Sequence, residues 1–454
     1  MGSTTVSIKG ERFLINGRPT YEGVQFRGRS IEGLLTNVRT VQATFDDENP
    51  RTRSLWRYLD GSDYDADRQT NEFCAALPSW REHGVLAFTV NLQGGGPAYH
   101  FPYHKPNDDP KPNPDAYLNS AFERDGALKP AYLERMGRVL ETADGLGMVA
   151  IVGLFYFQQD GLLDDEAAVL RAVDGAVRWL LETGHHNVLV EVNNECNVRY
   201  DHPILQPQRV CKLVERVKST ARDGRRLLVS TSGGGGWLPT DSLLRTADFV
   251  LVHGNGCNAD RHRRMIEQIR ANPVFAGRPV PIVFNEAHPD TSCLLTCAQH
   301  GASWGYYDGG RSNYRNGFQS PPTNWAINTP FKRRFFETAR KLAAGKPLAD
   351  PQPPQLVGFD GLAPGQCVSG TIFVHADVND STLVDHVELA VDGKVVDVQN
   401  VWPYWLGGDL HKTPHGYDTA QLAPGPHELS ATLTGIRGET SVKTITFEVA
   451  PAES

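Results

Sequence analysis

The sequence has no long apolar run and no excess of basic residues. Its 454 residues include no stretch of about 18 apolar residues, the length that a membrane-spanning helix needs. Residues 1–5 lack the basic and apolar regions of a signal peptide, so no export signal is expected there. The formal charge of -8 argues against a nucleic-acid partner, because phosphate binding needs clustered lysine and arginine. A membrane span and a nucleic-acid partner are therefore not expected.

Cysteine is sparse as well. The seven cysteines are an odd number at irregular spacing, a pattern that does not form a disulfide framework. Cys293 and Cys297 could form a local pair or stay free. Neither Cys-x-x-Cys nor His-Glu-x-x-His occurs, which argues against a structural zinc site and against a zincin. We therefore predict no metal and no cofactor.

The length of the chain predicts two domains, since a single core rarely serves so many residues. With 40% hydrophobic and 22% charged residues, the composition is that of a soluble globular protein. Proline is dense around Pro351 and Pro354, where both helix and strand periodicity stop. The expected organisation is a first domain at 1–348, a stiff linker at 349–356 and a second domain at 357–454.

Apolar runs alternate with helical stretches in the first domain, the pattern of a βα protein. The predicted strands are 21–26, 85–92, 148–155, 187–194, 226–231, 249–253, 281–285 and 302–306. The predicted helices are 69–83, 130–146, 165–182, 207–221, 260–271 and 330–344. Such a succession fits an α/β fold, a (β/α)8 TIM barrel with insertions. The alternative is an open doubly wound sheet, but its usual Gly-x-Gly-x-x-Gly turn is absent after the first strand.

The second domain alternates apolar and polar residues between turns such as Asp392-Gly393, which predicts a small all-β sandwich. The stretches HVELAVDGKVV and LAPGPHELSATL resemble bacterial immunoglobulin-like modules, which are often appended to polysaccharide-degrading enzymes. That resemblance suggests secretion or a periplasmic location, although no signal peptide is visible. Trp402, Tyr404 and Trp405 could form a sugar-binding platform or seal this domain against the first, and sealing is the preferred interpretation.

Two glutamates carry the chemistry that the first domain suggests. Glu195 and Glu286 each close a buried-looking strand, and each follows an asparagine. Parallel-sheet enzymes place their chemistry at the carboxyl ends of strands, so the two carboxylates could meet over one site. Hydrolysis of a glycoside with retention needs two carboxylates about 5–5.5 Å apart, one of them with a raised pKa. The alternative is that one or both are buried ion-pair partners.

The motifs around these glutamates resemble clan A of the glycoside hydrolases, which includes the family 5 cellulases and mannanases. EVNNE matches the clan's acid/base signature and PIVFNEAH its nucleophile signature, which implies Glu195 and Glu286 for these roles and Asn194 as a partner of the sugar's 2-hydroxyl. RFLINGRPTYEGVQFRG resembles the clan's entry hairpin and first strand. VLVHGN places His253 where the clan often has a substrate-side histidine, and ASWGYYD places Trp304 where it has a sugar-stacking tryptophan.

The chain also departs from the family 5 pattern. The strand-two arginine is replaced by Thr89, and the tyrosine that bonds the nucleophile is replaced by Asn255. The histidine after strand three is missing, and residues 155–158 stand in its place. These contacts are expected to pass to Arg27, Asn91, Tyr156 or Gln158.

The remaining candidates lie in long loops. Residues 29–68 and 94–128 exceed ordinary βα loop lengths and are expected on the catalytic face. The second loop could stack aromatics on sugars or simply pack them locally; they are Tyr99, His100, Phe101, Tyr103 and His104. The run 233–236 lacks the Lys-Ser/Thr of a P-loop and more plausibly presents Trp237 to substrate. Glu191, inside the fourth strand, is interpreted as a buried structural carboxylate with a basic partner.

These observations predict a retaining glycoside hydrolase that cleaves β-glycosidic bonds of a poly- or oligosaccharide. A different class of protein is a carbohydrate-binding protein whose barrel has lost catalysis, for which closely spaced carboxylates serve no purpose. A third is a metal-dependent barrel hydrolase using His253 and His288, which requires ligands converging on one point.

Overall fold

The computed structural model describes residues 2–58, 60–94, 117–287, 289–308, 317–319, 321–399, 402–410 and 413–451. The chain forms two compact units. The first ends at Asp350 and the second begins at Pro351. No helix in the described ranges combines the length and the apolar character needed to cross a bilayer.

The first unit opens with short antiparallel strands and continues with parallel ones. Its strands are β1 (Val6–Lys9), β2 (Arg12–Ile15), β3 (Arg18–Pro19), β4 (Gln25–Phe26), β5 (Arg29–Ser30), β6 (Asn37–Arg39), β7 (Ala87–Asn91), β8 (Val149–Phe155), β9 (Val188–Asn193), β10 (Ala221–Arg222), β11 (Arg225–Arg226), β12 (Leu228–Ser230), β13 (Val250–His253), β14 (Ile282–Glu286) and β15 (Gly305–Tyr306).

Six parallel strands form one sheet in the order β12-β9-β8-β7-β6-β15, and β13 pairs with β14. Backbone bonds link the sheet and the pair on both sides. Asp248 N donates to Val229 O at 2.9 Å beyond β12, and Val283 of β14 forms a parallel bridge with Ser303 beside β15. The residues of β7, β8 and β9 are all buried, as expected for strands that are covered on both faces.

The predicted first strand is wrong. Residues 21–26 contribute only β4, which pairs with β5 in a short hairpin. Tyr21 and Gly23 have φ values of 49° and 75° there, and such backbone cannot continue a strand. The parallel strand is β6, which pairs with β7 and β15 inside the continuously buried segment 33–45.

The helices in the described residues are α1 (Ala66–Glu82), α2 (Pro130–Gly145), α3 (Glu166–Glu182), α4 (Cys211–Ser219), α5 (Asp241–Thr246), α6 (Ala259–Ala271), α7 (Pro273–Gly277), α8 (Thr291–Gln299) and α9 (Pro330–Ala343). Several begin at a residue whose side chain accepts a backbone N–H of the first turn, as Asp65, Asn258 and Asp290 do. All six predicted helices are present with shifted ends, whereas α5, α7 and α8 were not predicted.

The second unit is built from strands that mostly pair antiparallel. They are β16 (Leu356–Asp360), β17 (Cys367–Val368), β18 (Thr371–Ile372), β19 (His375–Val378), β20 (Val384–Val391), β21 (Lys394–Gln399), β22 (Tyr404–Trp405), β23 (Asp409–Leu410), β24 (Thr413–Pro414), β25 (Tyr417–Asp418), β26 (Gly425–Gly435) and β27 (Thr440–Val449). Five form a sheet in the order β17-β27-β26-β20-β21, in which β17 and β27 run parallel, and three form a sheet in the order β16-β19-β22. Asp392 and Gly393 both have positive φ, as the predicted two-residue turn between β20 and β21 requires.

The three aromatics singled out in the middle of this unit do not share one role. Tyr404 is buried in the core of its own unit, together with Leu389 and Leu433. Trp405 is half-buried and packs edge-on against His375, with ring centroids 4.7 Å apart. Trp402 is 43% exposed. Tyr404 therefore serves neither as a sugar platform nor as a seal.

Candidate active site

The carboxyl ends of four strands place charged side chains together. Arg39 ends β6, His253 ends β13 and Glu286 ends β14, while Glu195 follows β9 by two residues. A carboxylate oxygen of Glu195, a carboxylate oxygen of Glu286 and a ring nitrogen of His253 lie within 4.8 Å of one another. The two glutamates, about 90 residues apart in sequence, thus meet at a spacing of the order that a double displacement requires, about 5 Å.

The backbone around Glu195 is held in an uncommon conformation. Glu195 has φ of 52°, in the left-handed region that non-glycine residues rarely adopt. Its N–H donates to Ser232 Oγ at 3.0 Å, and the next N–H, that of Cys196, donates to Ser232 O at 2.8 Å. Strain of this kind persists only where neighbouring contacts fix it, and Ser232 supplies two of them.

Arg39 is a site residue that the sequence analysis missed. Its guanidinium is fully buried and faces three partners. NH1 donates to Glu191 Oε2 at 3.0 Å, NH2 donates to Asn194 Oδ1, and Nε lies 2.7 Å from Glu286 Oε2 in an ion pair whose N–H is not aligned as a hydrogen bond. The prediction that Glu191 is a buried carboxylate with a basic partner is confirmed by the first of these contacts. Arg39 therefore joins strands β6, β9 and β14 by charge.

His253 lies among the carboxylates. Its Nδ1 is 2.9 Å from Glu195 Oε1 and 3.6 Å from Glu286 Oε2. Burial acts to lower the pKa of His253, but the charge of Glu286 and the bond and charge of Glu195 outweigh burial and raise it. The alternative of a core histidine satisfied by backbone does not describe these contacts.

The expected raised pKa of Glu195 is not observed. Burial acts to raise the pKa of Glu195, but the hydrogen bond and charge of His253, together with the charge of Arg39, outweigh burial and lower it. In the substrate-free site the contact therefore favours a proton on the imidazole over a proton on Glu195. The sequence does not show that two cations, His253 and Arg39, lie beside this carboxylate.

Asn255 also contacts a catalytic candidate. Its Nδ2 donates a hydrogen bond to Glu286 Oε1. Two glycines, Gly235 in the glycine-rich run 233–236 and Gly254 beside Asn255, allow close packing around this segment. A Cβ on Gly235 would lie 2.3 Å from Asn255 O, and a Cβ on Gly254 would lie 2.1 Å from His262 Nε2. Only glycine allows these two close approaches.

Three of the predicted substrate-binding residues lie at or near this cluster. Asn194 is buried and accepts from Arg39, while its Nδ2 has no hydrogen-bond partner among the described residues. Tyr156 is buried, and burial followed by the charge of Glu286 raises its pKa well above the ordinary value. Asn91 ends β7 with its side chain against Gly153, and its amide atoms also lack partners within the described ranges.

Arg27 does not belong to the site. It lies in the turn between β4 and β5, forms an ion pair with Asp350 at 3.0 Å and approaches Gln299, the last residue of α8. Helix α8 leads from the carboxyl end of β14 back toward the start of β15. Arg27 is therefore at the end of the strands opposite the glutamates, and its prediction as a substrate-binding residue was wrong because the first strand was misplaced.

Trp304 is likewise a core residue rather than a sugar platform. It is 1% exposed, and its ring lies 5.7 Å from that of Phe335 in α9. Tyr306, two residues later, stacks on the same ring at 4.7 Å. Alternate residues of a strand share a face, so Trp304 points to the helices and away from the site. Trp237 is half-buried, with its ring packed over Gly233.

Glu195, His253 and Glu286 are also a donor set that could hold a metal ion. The guanidinium of Arg39 already lies against Glu286, with Nε 2.7 Å from Oε2, and its positive charge would face a bound cation. The charges in place therefore oppose a bound cation. His288, part of the predicted metal alternative, and the aromatic loop from Tyr99 to His104 lie outside the described residues.

Comparison with known proteins gives distant structural matches. No protein-family model and no curated protein matches the chain. Among solved structures, a putative glycoside hydrolase from Bacteroides vulgatus matches at 12% identity and a TM-score of 0.46, covering 91% of this chain and 81% of that chain. A family 5 mannosidase from Rhizomucor miehei matches at 13% and 0.41, covering 75% and 97%. An endo-β-1,4-mannanase from Thermotoga petrophila matches at 15% and 0.39, covering 95% and 99%.

Proposed function

We propose that this protein is a retaining O-glycoside hydrolase that cleaves β-glycosidic bonds of a poly- or oligosaccharide through a covalent glycosyl-enzyme. The observation that carries the proposal is the close approach of the Glu195 and Glu286 carboxylates, whose nearest ligand oxygens lie within 4.8 Å at the carboxyl ends of parallel strands. A short separation is typical of retaining enzymes, because an inverting enzyme needs a wider gap, about 6.5–9.5 Å, for its water.

The fold proposed for the first unit is a (β/α)8 barrel, with 1–348 as the catalytic domain. The parallel strands follow one another in chain order, and β15 pairs with β6, as the last and first strands of a closed barrel do. The backbone bond from Asp248 to Val229 and the bridge between Val283 and Ser303 connect the β13–β14 pair to the two edges of the sheet. Residues 349–356 would be the linker, and 357–454 an immunoglobulin-like sandwich.

Glu286 is the proposed nucleophile. Arg39 faces its Oε2 and Asn255 bonds its Oε1, and these two contacts fix the direction of the carboxylate. In the first step a Glu286 oxygen bonds to the anomeric carbon while the glycosidic C–O bond breaks. The electron pair of that bond goes to the leaving oxygen, which takes a proton from Glu195.

Glu195 is the proposed acid/base residue. The 2.9 Å contact with His253 lets the pair hold one proton, which moves to Glu195 for delivery to the leaving group. In the second step Glu195 removes a proton from water, the water oxygen bonds to the anomeric carbon, and the bond to Glu286 breaks. The enzyme then regains its starting charges.

Asn194 is proposed to hold the 2-hydroxyl of the sugar. Its Oδ1 is engaged by Arg39, which fixes the amide so that Nδ2, buried and without a partner among the described residues, remains as a donor. A buried donor left without an acceptor costs about 1–3 kcal/mol, so a substrate hydroxyl that accepts this N–H recovers that cost. The same bond strengthens as charge develops on the sugar ring.

The test uses single substitutions of the two glutamates. A panel of glycans and aryl glycosides first identifies a substrate. Glu286→Gln and Glu195→Gln should then each lose most of the turnover. The control Glu166→Gln, at the first residue of α3, where Glu166 pairs with Arg209, should keep it. Glu286→Gly with azide should form a glycosyl azide of inverted configuration. Near-full turnover in either active-site variant contradicts the assignment. Binding of glycans without any release of sugar by the parent would indicate a carbohydrate-binding protein instead.

A further inference from the structure

Glu191 is a buried carboxylate that the proposed reaction does not use. It lies within β9 and is fully buried. Three donors from three other segments converge on it. Ser232 Oγ donates to Oε1 at 2.5 Å, and Arg39 NH1 and Asn285 Nδ2 donate to Oε2 at 3.0 and 3.2 Å. A carboxylate accepts at both oxygens and therefore suits three converging donors better than any neutral side chain of the same shape.

Two of these contacts lead to Glu286. Arg39 bonds Glu191 through NH1 and faces Glu286 through Nε, so Glu191 orients the guanidinium that faces the proposed nucleophile. Asn285 directly precedes Glu286 in β14, and its bond to Glu191 fixes that strand end. Movement of Glu191 would therefore shift Glu286 through both its charge partner and its backbone.

The third contact leads to Glu195. Ser232 donates its hydroxyl hydrogen to Glu191 and accepts the backbone N–H of Glu195 at 3.0 Å. Because Glu191 takes the hydroxyl hydrogen, the oxygen of Ser232 presents a lone pair to Glu195, which sits at the strained φ of 52°. The direction of this hydroxyl, and with it the bond to Glu195, depends on an acceptor at Glu191.

We propose that Glu191 is a positioning residue that couples the two catalytic glutamates, holding Glu286 through Arg39 and Asn285, and Glu195 through Ser232, by virtue of its negative charge. The inference rests on the proposed glycosidase function. It assigns no contact between Glu191 and substrate.

Substitution of Glu191 separates charge from shape. In Glu191→Gln the side chain keeps its length, but its amide N–H group must face a donor, either Ser232 or the Arg39–Asn285 pair. Arg39 also loses a counter-charge. We expect kcat per folded active site to fall about 100-fold with little change in KM, since small misplacements of reacting groups cost about that much. Glu191→Asp keeps the charge on a shorter chain and should retain more activity than Glu191→Gln. The opposite order, with the isosteric glutamine variant more active, would identify Glu191 as a space-filling residue and overturn the inference.

A second variant tests one contact alone, in case Glu191→Gln does not fold. Ser232→Ala removes the bond to Glu195 and leaves Arg39 and Asn285 on Glu191. Glu195 matters most when the leaving oxygen needs a proton, so this variant should slow glycosides with poor leaving groups by at least about tenfold more than activated aryl glycosides. If Ser232→Ala cleaves both types of glycoside at the rates of the parent, the coupling is contradicted.

The two proposals fail in different ways. If Glu286→Gln and Glu195→Gln both remain active, the glycosidase assignment fails, whatever Glu191 does. If those variants are inactive while Glu191→Gln and Ser232→Ala match the parent, the chemistry stands and only the coupling role is wrong.

Discussion

His253 Nδ1 lies 2.9 Å from Glu195 Oε1, and this contact lowers the pKa of the carboxyl proposed as the acid/base group. The pKa of the imidazole is raised by Glu286 and Glu195 in spite of burial, while the pKa of Glu195 is lowered by His253 and Arg39 in spite of burial. The contact therefore favours an imidazolium beside a carboxylate in the resting pair. The alkaline limit of activity should follow the loss of the proton that this pair shares.

Replacing this histidine should move the alkaline limb of the activity profile. In His253→Gln, Glu195 loses the hydrogen bond and the charge that lower its pKa, so that pKa rises, but the proton is then held by a carboxylate alone. We expect the alkaline limb of kcat/KM to move to lower pH, because the imidazole with its raised pKa no longer retains the proton. The measurement is the pH profile for an aryl glycoside that the parent cleaves.

The control for this profile is a second histidine with a raised pKa. His427, in the second unit, has its pKa raised by bonds to the Ala423 carbonyl oxygen and to Asp392. His427→Gln should leave both limbs where they are. A His253→Gln profile that coincides with that of the parent would show that His253 does not take part in the proton balance of the site.

A negative charge beside Glu286, the proposed nucleophile, should lower turnover strongly. Asn255→Asp replaces the amide that bonds Glu286 with a carboxylate at hydrogen-bond distance, and two adjacent carboxylates cannot both stay ionised. We expect kcat to fall by about 100-fold or more. Asn258→Asp makes the same change three residues later, at the N-cap of α6, where an aspartate caps equally well. Equal activities of the two variants would contradict a role for Asn255 at Glu286.

Most of the parallel strands could be predicted because they consist largely of apolar residues. Strands β8 and β9 are buried on both faces, and their sequences show it. Strand β6 could not be found in this way. It has three residues, and its buried surroundings are largely polar, with Asn37, Arg39 and Gln42 among them. Buried polar residues give no apolar periodicity. The first parallel strand was therefore predicted at 21–26, ahead of its actual position in β6.

The site was predictable where a residue ends an apolar strand, as Glu286 and His253 do. Glu195 follows its strand closely and was found in the same way. Arg39 was missed together with its strand, although an arginine inside the long buried segment 33–45 was the available signal. Trp304 was misassigned because the motif gives its position in the chain but not the face of the strand on which it lies. Trp304 and Tyr306 are two residues apart and therefore share a face, and both contact Phe335.

The glycine-rich loop should tolerate a methyl group at one position and not at the next. In Gly235→Ala the new Cβ would lie 2.3 Å from the carbonyl oxygen of Asn255, whereas in Gly234→Ala it would meet Val198 at an ordinary 3.5 Å. We expect Gly235→Ala to lower the free energy of unfolding by about 1–3 kcal/mol and to reduce kcat by displacing Asn255. Urea denaturation and steady-state rates of the two alanine variants provide the comparison. If Gly235→Ala and Gly234→Ala have similar stabilities and rates, the backbone at Asn255 moves to accommodate the methyl group at little cost.

A buried lysine should make stability depend on pH. Burial lowers the pKa of Lys332 to about 7, while its Nζ donates to Asn324 O at 2.6 Å and lies 4.0 Å from the ring centroid of Phe318. Below the folded pKa, both states carry the proton. Between that value and the ordinary pKa of about 10.4, only the unfolded chain binds it, so the free energy of unfolding rises with pH in this window.

Lys332→Met removes this proton linkage. The loss of stability that it causes should therefore be smaller at about pH 6 than at about pH 9, because the charged form that burial disfavours is populated only at the lower pH. Urea denaturation of the parent and the variant at both pH values measures the difference, and the exposed Lys346→Met serves as the matched control. If the stability difference between the parent and Lys332→Met is the same at both values, the folded protein keeps the Lys332 proton throughout, and its contacts with Asn324 and Phe318 outweigh burial.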